Sequence, residues 1–383
     1  MIYSRRTFPQ YAVDAEIASF THAGGIGEFH AMFHIGNKAL PYTAQLNHLL
    51  GAYREFVSEK NTYKPVIVRF FVTDAANQAP QLKERIKELP VSAVSIVEQP
   101  LLSGGKIGMW AYMLDGDVET GQESSGMFRI THGAYQHYWT AGQVSANGNS
   151  DEQTTALFGT YETNLRNLGC NIADNCIRTW LYVRDVDVNY AGVVKARREN
   201  FIREGLTQHT HYIASTGIEG RSENPDCKVI FDAYSVKGIG KDQVRYLYAP
   251  THLSPTHVYG VTFERGVALQ FGDRRHIYIS GTASIDNEGN VVHPGNIRKQ
   301  TDRMCVNVEK LLDEAGATPG NLAHILVYLR DLADYPLVSE MMEDWYPNVP
   351  RQFLLAPVCR PAWLIEMECV AIVPQGDVRF GGF

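Results

Sequence analysis

Residues 348–373, NVPRQFLLAPVCRPAWLIEMECVAIV, set Arg351, Cys359, Arg360, Glu366 and Glu368 among apolar residues. The last part alternates as a strand does, so Glu366 and Glu368, two residues apart, point to one face. A carboxyl shielded by neighbours such as Trp363 and Ile365 keeps its proton toward neutrality, and repulsion between two carboxylates pushes one of them higher still. Such a group can give and take a proton at neutral pH. An arginine nearby can hold a substrate carboxylate through two parallel hydrogen bonds. The plainer reading puts both glutamates on a solvated strand face, paired with Arg351 and Arg360.

Other segments offer weaker chemistry. SGTAS, from Ser280 and Gly281 onward, supplies backbone N–H groups and hydroxyls suited to a carbonyl oxygen, or it is only a strand-end turn. Cys359 has no local base, so it is read as a site-lining thiol and not as a nucleophile. His209 and His211 in QHTHY share a side if extended, but no third ligand stands at a recognised spacing, and no metal is expected. GGIGEF and KGIGKD are glycine turns without the strand–helix context of a nucleotide fingerprint.

These residues need a scaffold. The chain has 383 residues, 44% hydrophobic and 20% charged, which predicts packed domains. A net charge of -7 argues against a nucleic-acid partner. The N-terminal stretch has no apolar run long enough for a signal peptide, and runs such as PVIVRFFV are too short to span a membrane. Six cysteines without a CxxC spacing complete the expectation of a reduced, cytoplasmic protein.

A pattern is written three times. VIVRFFVTD, IRTWLYVRD and HILVYLRD are β-rich runs closed by Asp74, Asp185 and Asp331. Each follows a helical stretch marked by Gln45, Gln153 or Gln300, at distances of 29, 32 and 31 residues. A second helical stretch and a last strand follow each aspartate. The expected fold is α+β: three tandem β-β-α-β-α-β units over residues 1–120, 121–245 and 246–383. Three such sheets can bury their open faces against one another as a pseudo-trimer.

The third unit resembles the RidA/YjgF (endoribonuclease L-PSP) family, in YISGTASIDNEGNVVHPGNIRKQTDRMCVNVEKLLDEAG, ILVYLRDLADYPLVSEMMEDWYP and VPRQF…LIEMECVAIV. Arg351 and Glu366 keep the fifteen-residue spacing of that family's arginine and Glu-x-Glu strand. The second and third units together resemble the chorismatases, through RTWLYVRDVDVNYAGVVKARRENF, HYIASTGIEG, YGVTFERG, VHPGNIRKQ and CRPAWLIEME. That resemblance implies Glu366 or Glu368 as the catalytic acid and Cys359–Arg360 as the pair that precedes it. It also implies cleft-lining roles for Ser215, Thr216, Gly217 and Arg221, and Arg197 as a second carboxylate ligand. Two departures stand out: LLAPV precedes Cys359 where chorismatases carry polar residues, and Arg351, which they lack, is retained. The first unit carries Ala93 and Gly108 at the positions of Arg351 and Glu366, and the second carries Ser215 and Ile230.

The resemblance implies cofactor-free hydrolysis or lyase chemistry on a small carboxylate-bearing enol ether, enamine or imine. Chorismatase-like cleavage to pyruvate comes first and RidA-type imine deamination second. A non-catalytic small-molecule binder is the reading of another class, and the family's ribonuclease label fits the acidic charge poorly. The assembly is expected to be a monomeric pseudo-trimer or a homo-oligomer, with no membrane or nucleic-acid partner.

Overall fold

The computed structural model describes residues 1–383. The first unit comprises β1 (Ile2–Phe8), β2 (Val13–Phe20), β3 (Gly27–Ile35), α1 (Tyr42–Ser58), β4 (Tyr63–Val72), α2 (Ala75–Ile86), β5 (Ala93–Glu98) and β6 (Ile107–Asp115). The second comprises β7 (Glu119–Gln122), β8 (Phe128–His132), β9 (Tyr135–Val144), α3 (Ser150–Asn167), α4 (Ile172–Asn175), β10 (Cys176–Val183), α5 (Val186–Arg203), β11 (Ala214–Glu219) and β12 (Val229–Lys237). The third comprises β13 (Val244–Leu247), β14 (Gly266–Gln270), β15 (Arg275–Ala283), α6 (Ile297–Glu314), β16 (Leu322–Leu329), α7 (Tyr335–Trp345), β17 (Arg351–Leu355) and β18 (Ile365–Val373).

Each unit is one six-stranded mixed sheet: β1-β2-β3-β6-β4-β5, β11-β10-β12-β9-β8-β7 and β13-β14-β15-β18-β16-β17. The expected β-β-α-β-α-β pattern therefore gains two strands per unit, one before the first helix and one before the last strand. These additions lie at sheet edges and are mostly short. ETGQ and VRYL are too brief to show a period of two, which is why the pattern hides them.

The recurring glutamines explain the regular spacing. Gln45, Gln153 and Gln300 sit one turn inside α1, α3 and α6, fully buried. Each side-chain amide donates to a carbonyl just before its helix (Lys38, Gly148, His293). Each also accepts a backbone N–H beside the last strand: Lys106 at 2.8 Å, Lys228 at 2.7 Å and Leu364 at 2.9 Å. The glutamine thus pins the first helix onto its sheet, which satisfies buried backbone groups that would otherwise be orphaned.

Helices cover one face of every sheet, and the other faces turn inward. One contiguous apolar cluster runs through all three inner faces. Neighbouring units are also joined by one buried ion pair each: Arg69 with Asp232 (2.9 Å), Arg178 with Glu368 (2.8 Å) and Arg274 with Glu28 (2.6 Å). Such pairs add little net stability against apolar replacements, but breaking one strands a buried charge, so they penalise a wrong docking of the units. No helix is long and apolar enough to cross a membrane.

Candidate active site

The two glutamates of β18 both reach toward the second unit, yet their surroundings differ completely. Glu368 accepts from Arg178 Nη2 (2.8 Å), Trp180 Nε1 (2.9 Å) and, in a close contact, the Thr216 hydroxyl. Its oxygens are spent on β10 and β11, and it lies outside the cavity. Glu366 makes no hydrogen bond to the protein and ends in a cavity between β11, β15 and β18. Burial, then the charge of Glu368, raises its pKa to about 8, against the opposing pull of Arg178 and Arg265. At pH 7 a carboxyl with that pKa is protonated about ten to one.

Local backbone makes this possible. The pairing of β15 with β18 shifts register between Ile279 and Thr282, a bulge that sets Gly281 beside Glu366. A Cβ at Gly281 would overlap the Glu366 carboxylate, so only glycine leaves the group its place. Ser280 lies behind this wall. Its hydroxyl accepts the Ser215 N–H (2.9 Å) and donates to the Glu264 carbonyl (2.6 Å), so it holds the two units in register.

The cavity is narrow, with little of its space wide enough for a water molecule. Three arginines reach its walls: Arg197 from α5, Arg265 ahead of β14 and Arg360 ahead of β18. Arg197 is 1% exposed, yet only one of its nitrogens finds a partner, the Ser215 hydroxyl at 3.4 Å. Its Nε and Nη2 atoms are buried without a hydrogen-bond acceptor. A guanidinium so placed calls for an anion, because burying its donors unpaired is costly. Arg265 is held by the Ser254 carbonyl (2.9 Å), and Arg360 by the Tyr259 carbonyl (2.6 Å). Tyr259, Phe263 and Trp363 make an aromatic wall, while Tyr190 and Cys359 close the side toward α5. Burial pushes the Cys359 thiol up to about 12, so it is no nucleophile at neutral pH.

The structure thus brings together Glu366, Arg197, Arg360, Cys359, Ser215, Thr216, Gly217 and Gly281 at one cavity. It places four other expected site residues elsewhere, Ser280 among them, behind the wall as described above. Arg351 buries its guanidinium against the end of α7, where it donates to the carbonyls of Val349 (3.0 Å), Met342 (2.5 Å) and Tyr346 (2.5 Å). Arg221 pairs with Asp185 (2.8 Å) and Glu219 (3.1 Å) on a separate cleft. Glu368 is the interface anchor described above. One alignment also needs correcting. Arg351 pairs with Ile325 as Val94 does with Val68, and as Ser215 does with Thr179. The first-unit counterpart of Arg351 is therefore Val94, not Ala93, because the connection from β5 to β6 is one residue shorter in the first unit than its equivalents in the other two.

The reason Arg351 and Glu366 part company lies in how the units meet. β11 of the second unit lies against the third, at the Glu366 cavity, while β17 of the third lies against the first. Arg351 N donates to Glu16, and the Gln352 amide to the Phe33 carbonyl. Each cleft takes its arginine position from one unit and its glutamate position from the next. The Glu366 cleft therefore has Ser215 at the arginine position, and the Arg351 cleft has Gly108 at the glutamate position, filled by Leu101 and Gln352. Arg197, bonded to Ser215, brings a guanidinium back to the emptied place.

Arg265, Tyr190, Tyr259 and Phe263 escaped the sequence reading. Their signal was present: Tyr259, Val261, Phe263 and Arg265 alternate through YGVTFERG, as residues of an extended chain facing one way do, and all four line the cavity.

Comparison with known proteins bears on this geometry. A family model described as Endoribonuclease L-PSP matches residues 267–373. A RutC family protein of Pyrococcus abyssi is 32% identical over 97 residues, which cover 25% of this chain and 76% of that protein. The 3-aminoacrylate deaminase RutC of Acinetobacter baylyi is 29% identical over 99 residues, 25% of this chain and 79% of that one. Among solved structures, a chorismatase superposes with a TM-score of 0.64 at 18% identity, covering 82% of this chain and 94% of its own. That last likeness is one of fold, and it extends over far more of the chain than one unit.

Proposed function

The chain belongs to the RidA/YjgF family, which includes the RutC and L-PSP endoribonuclease proteins, and from that premise we propose that it is a hydrolase of a small carboxylate-bearing enol ether, chorismatase-like in its reaction. One observation carries the proposal: Glu366, a buried carboxyl that is protonated at neutral pH and bonded to nothing in the protein, shares a cavity with Arg197, a buried arginine that has two nitrogens without an acceptor. An acid with nothing to hold but its substrate, beside a cation with no counter-charge, suits an anionic substrate that must be protonated on carbon.

In the proposed reaction Arg197 takes a substrate carboxylate, with Arg265 and Arg360 adding positive potential from the other walls. The Glu366 carboxyl gives its proton to the terminal vinyl carbon, and the electron pair of the double bond forms the new C–H bond. The cation left on the carboxylate-bearing carbon lies beside the Glu366 carboxylate, which stabilises it and accepts a proton from the water that adds there. Collapse of the hemiketal breaks the ether C–O bond and releases a 2-oxo acid and an alcohol. The aromatic wall of Tyr259, Phe263 and Trp363 suits a cyclic alcohol portion.

Imine or enamine deamination is the second reading, and the likeness to a deaminase of the RutC group favours it. Against it stands the separation of Arg351 from Glu366 into different clefts. The test is pyruvate release from chorismate, run beside a Glu366→Gln sample. Release by the wild type alone supports the proposal. Silence with chorismate together with turnover of 2-iminopropanoate overturns it in favour of deamination, and silence with both leaves a ligand-binding protein.

A further inference from the structure

The Glu366 cavity is nearly shut. Glu366 is 5% exposed, and the seams around it leave little room for even a water molecule. Any ligand must enter by displacing part of the wall, and the fold indicates which part. In the first and second units, short turns (residues 9–12 and 123–127) join the first two strands; in the third, residues 248–265 make that connection. This strap carries Tyr259, Val261, Phe263 and Arg265 onto the cavity wall. Its other side, with Pro250, Ser254 and His257, borders an open outer cleft shared with residues 207–212 of the second unit. Arg265 borders both spaces, so only the strap separates them.

The strap is fixed firmly at its roots and lightly at its tip. At one root the N–H groups of Tyr248 and Ala249 donate to Glu314 (2.9 and 2.6 Å), and Ser254 N donates to the Asp286 carbonyl. At the other, Glu264 N donates to the Ile213 carbonyl, and the Arg265 carbonyl accepts from Ser280 N. Between them, residues 255–263 contain a single 3-10 turn whose tip residue Val258 is 56% exposed. Two arginines hold that tip: Arg360 on the Tyr259 carbonyl, and Arg198, on the exposed face of α5, on the Gly260 carbonyl.

We propose that residues 255–263 form a lid over the Glu366 cavity, latched across the unit boundary by Arg198, and that its opening joins the cavity to the outer cleft. Hinges at Ser254–Pro255 and Phe263–Glu264 follow from the anchored roots. Arg198 holds the strap from outside and does not itself line the cavity, so the latch can be removed without changing a residue of the candidate chemistry.

Cys359 reports lid opening without any substrate. It lies in the cavity, whereas Cys305 and Cys369 lie in the core of the same unit. The full chain is treated with iodoacetamide, and alkylation at each cysteine is followed by mass spectrometry in wild type, Arg198→Ala and Arg198→Lys. The lid predicts alkylation of Cys359 about fivefold to tenfold faster in Arg198→Ala, as loss of one charge-assisted hydrogen bond at a surface would give, with Arg198→Lys in between. Cys305 and Cys369 stay unmodified throughout. An unchanged Cys359 rate in Arg198→Ala overturns the latch, and labelling of all three cysteines together overturns local opening. Neither result depends on which reaction the cavity performs.

Discussion

If Glu366 holds its proton in the folded protein up to a pH of about 8, its replacement by glutamine must change stability in a pH-dependent way. In the unfolded chain the carboxyl ionises near 4.5, its ordinary value. Below that pH both states are protonated, and the neutral carboxyl resembles the amide in shape and charge. As pH rises above it the unfolded state sheds its proton and the folded state does not, so wild type loses stability until the folded carboxyl ionises. The slope is about 1.4 kcal/mol per pH unit, which over the interval from 4.5 to 7 amounts to about 3.4 kcal/mol. Glu366→Gln escapes this loss. Urea unfolding of both proteins from pH 4.5 to 9 is the assay. The advantage of the variant should grow steadily to about pH 8 and then level off. A stability difference independent of pH would mean that the carboxyl titrates normally, and would remove the acid from the proposed reaction. Reaction rate carries the same sign: it should fall as pH rises through about 8, as the acid form disappears.

Two further outcomes follow from the arginines. Arg197→Met should weaken binding of a carboxylate ligand by about a hundredfold, read as a rise in KM or Ki, while leaving the fold at least as stable, since a poorly partnered buried charge is removed. Arg351→Met should do the reverse. Equilibrium unfolding should register a loss of about 2–3 kcal/mol from the uncapped end of α7, and kcat/KM at the Glu366 cavity should stay unchanged.

What the sequence revealed depended on how local the governing physics was. The three units were legible because Gln45, Gln153 and Gln300 each serve one helix and one strand within their own unit, at fixed separation. Glu366 was legible because a carboxylate in an apolar, alternating strand is locally anomalous. Its division of labour with Glu368 was not, because Arg178 and Trp180, which occupy Glu368, come from another unit. The same holds for Arg351: its spacing to Glu366 along the chain is that of the family, but the two belong to different clefts once the units close. The fixed fifteen-residue spacing likewise points to Ala93 in place of Val94, because the connection from β5 to β6 is one residue shorter than in the other units.

Joining the units in one chain changes what substitution can do. In a ring of three identical subunits every change is copied into all three clefts, so a cleft cannot lose its arginine unless the others lose theirs. A tandem chain breaks that rule. Gly108 and Ile230 could replace the acid in two places while Glu366 kept it in the third, and the cleft at Gly108 could be packed shut with Leu101 and Gln352. Within one chain each cleft can thus be varied by itself, and only the third position keeps an acid.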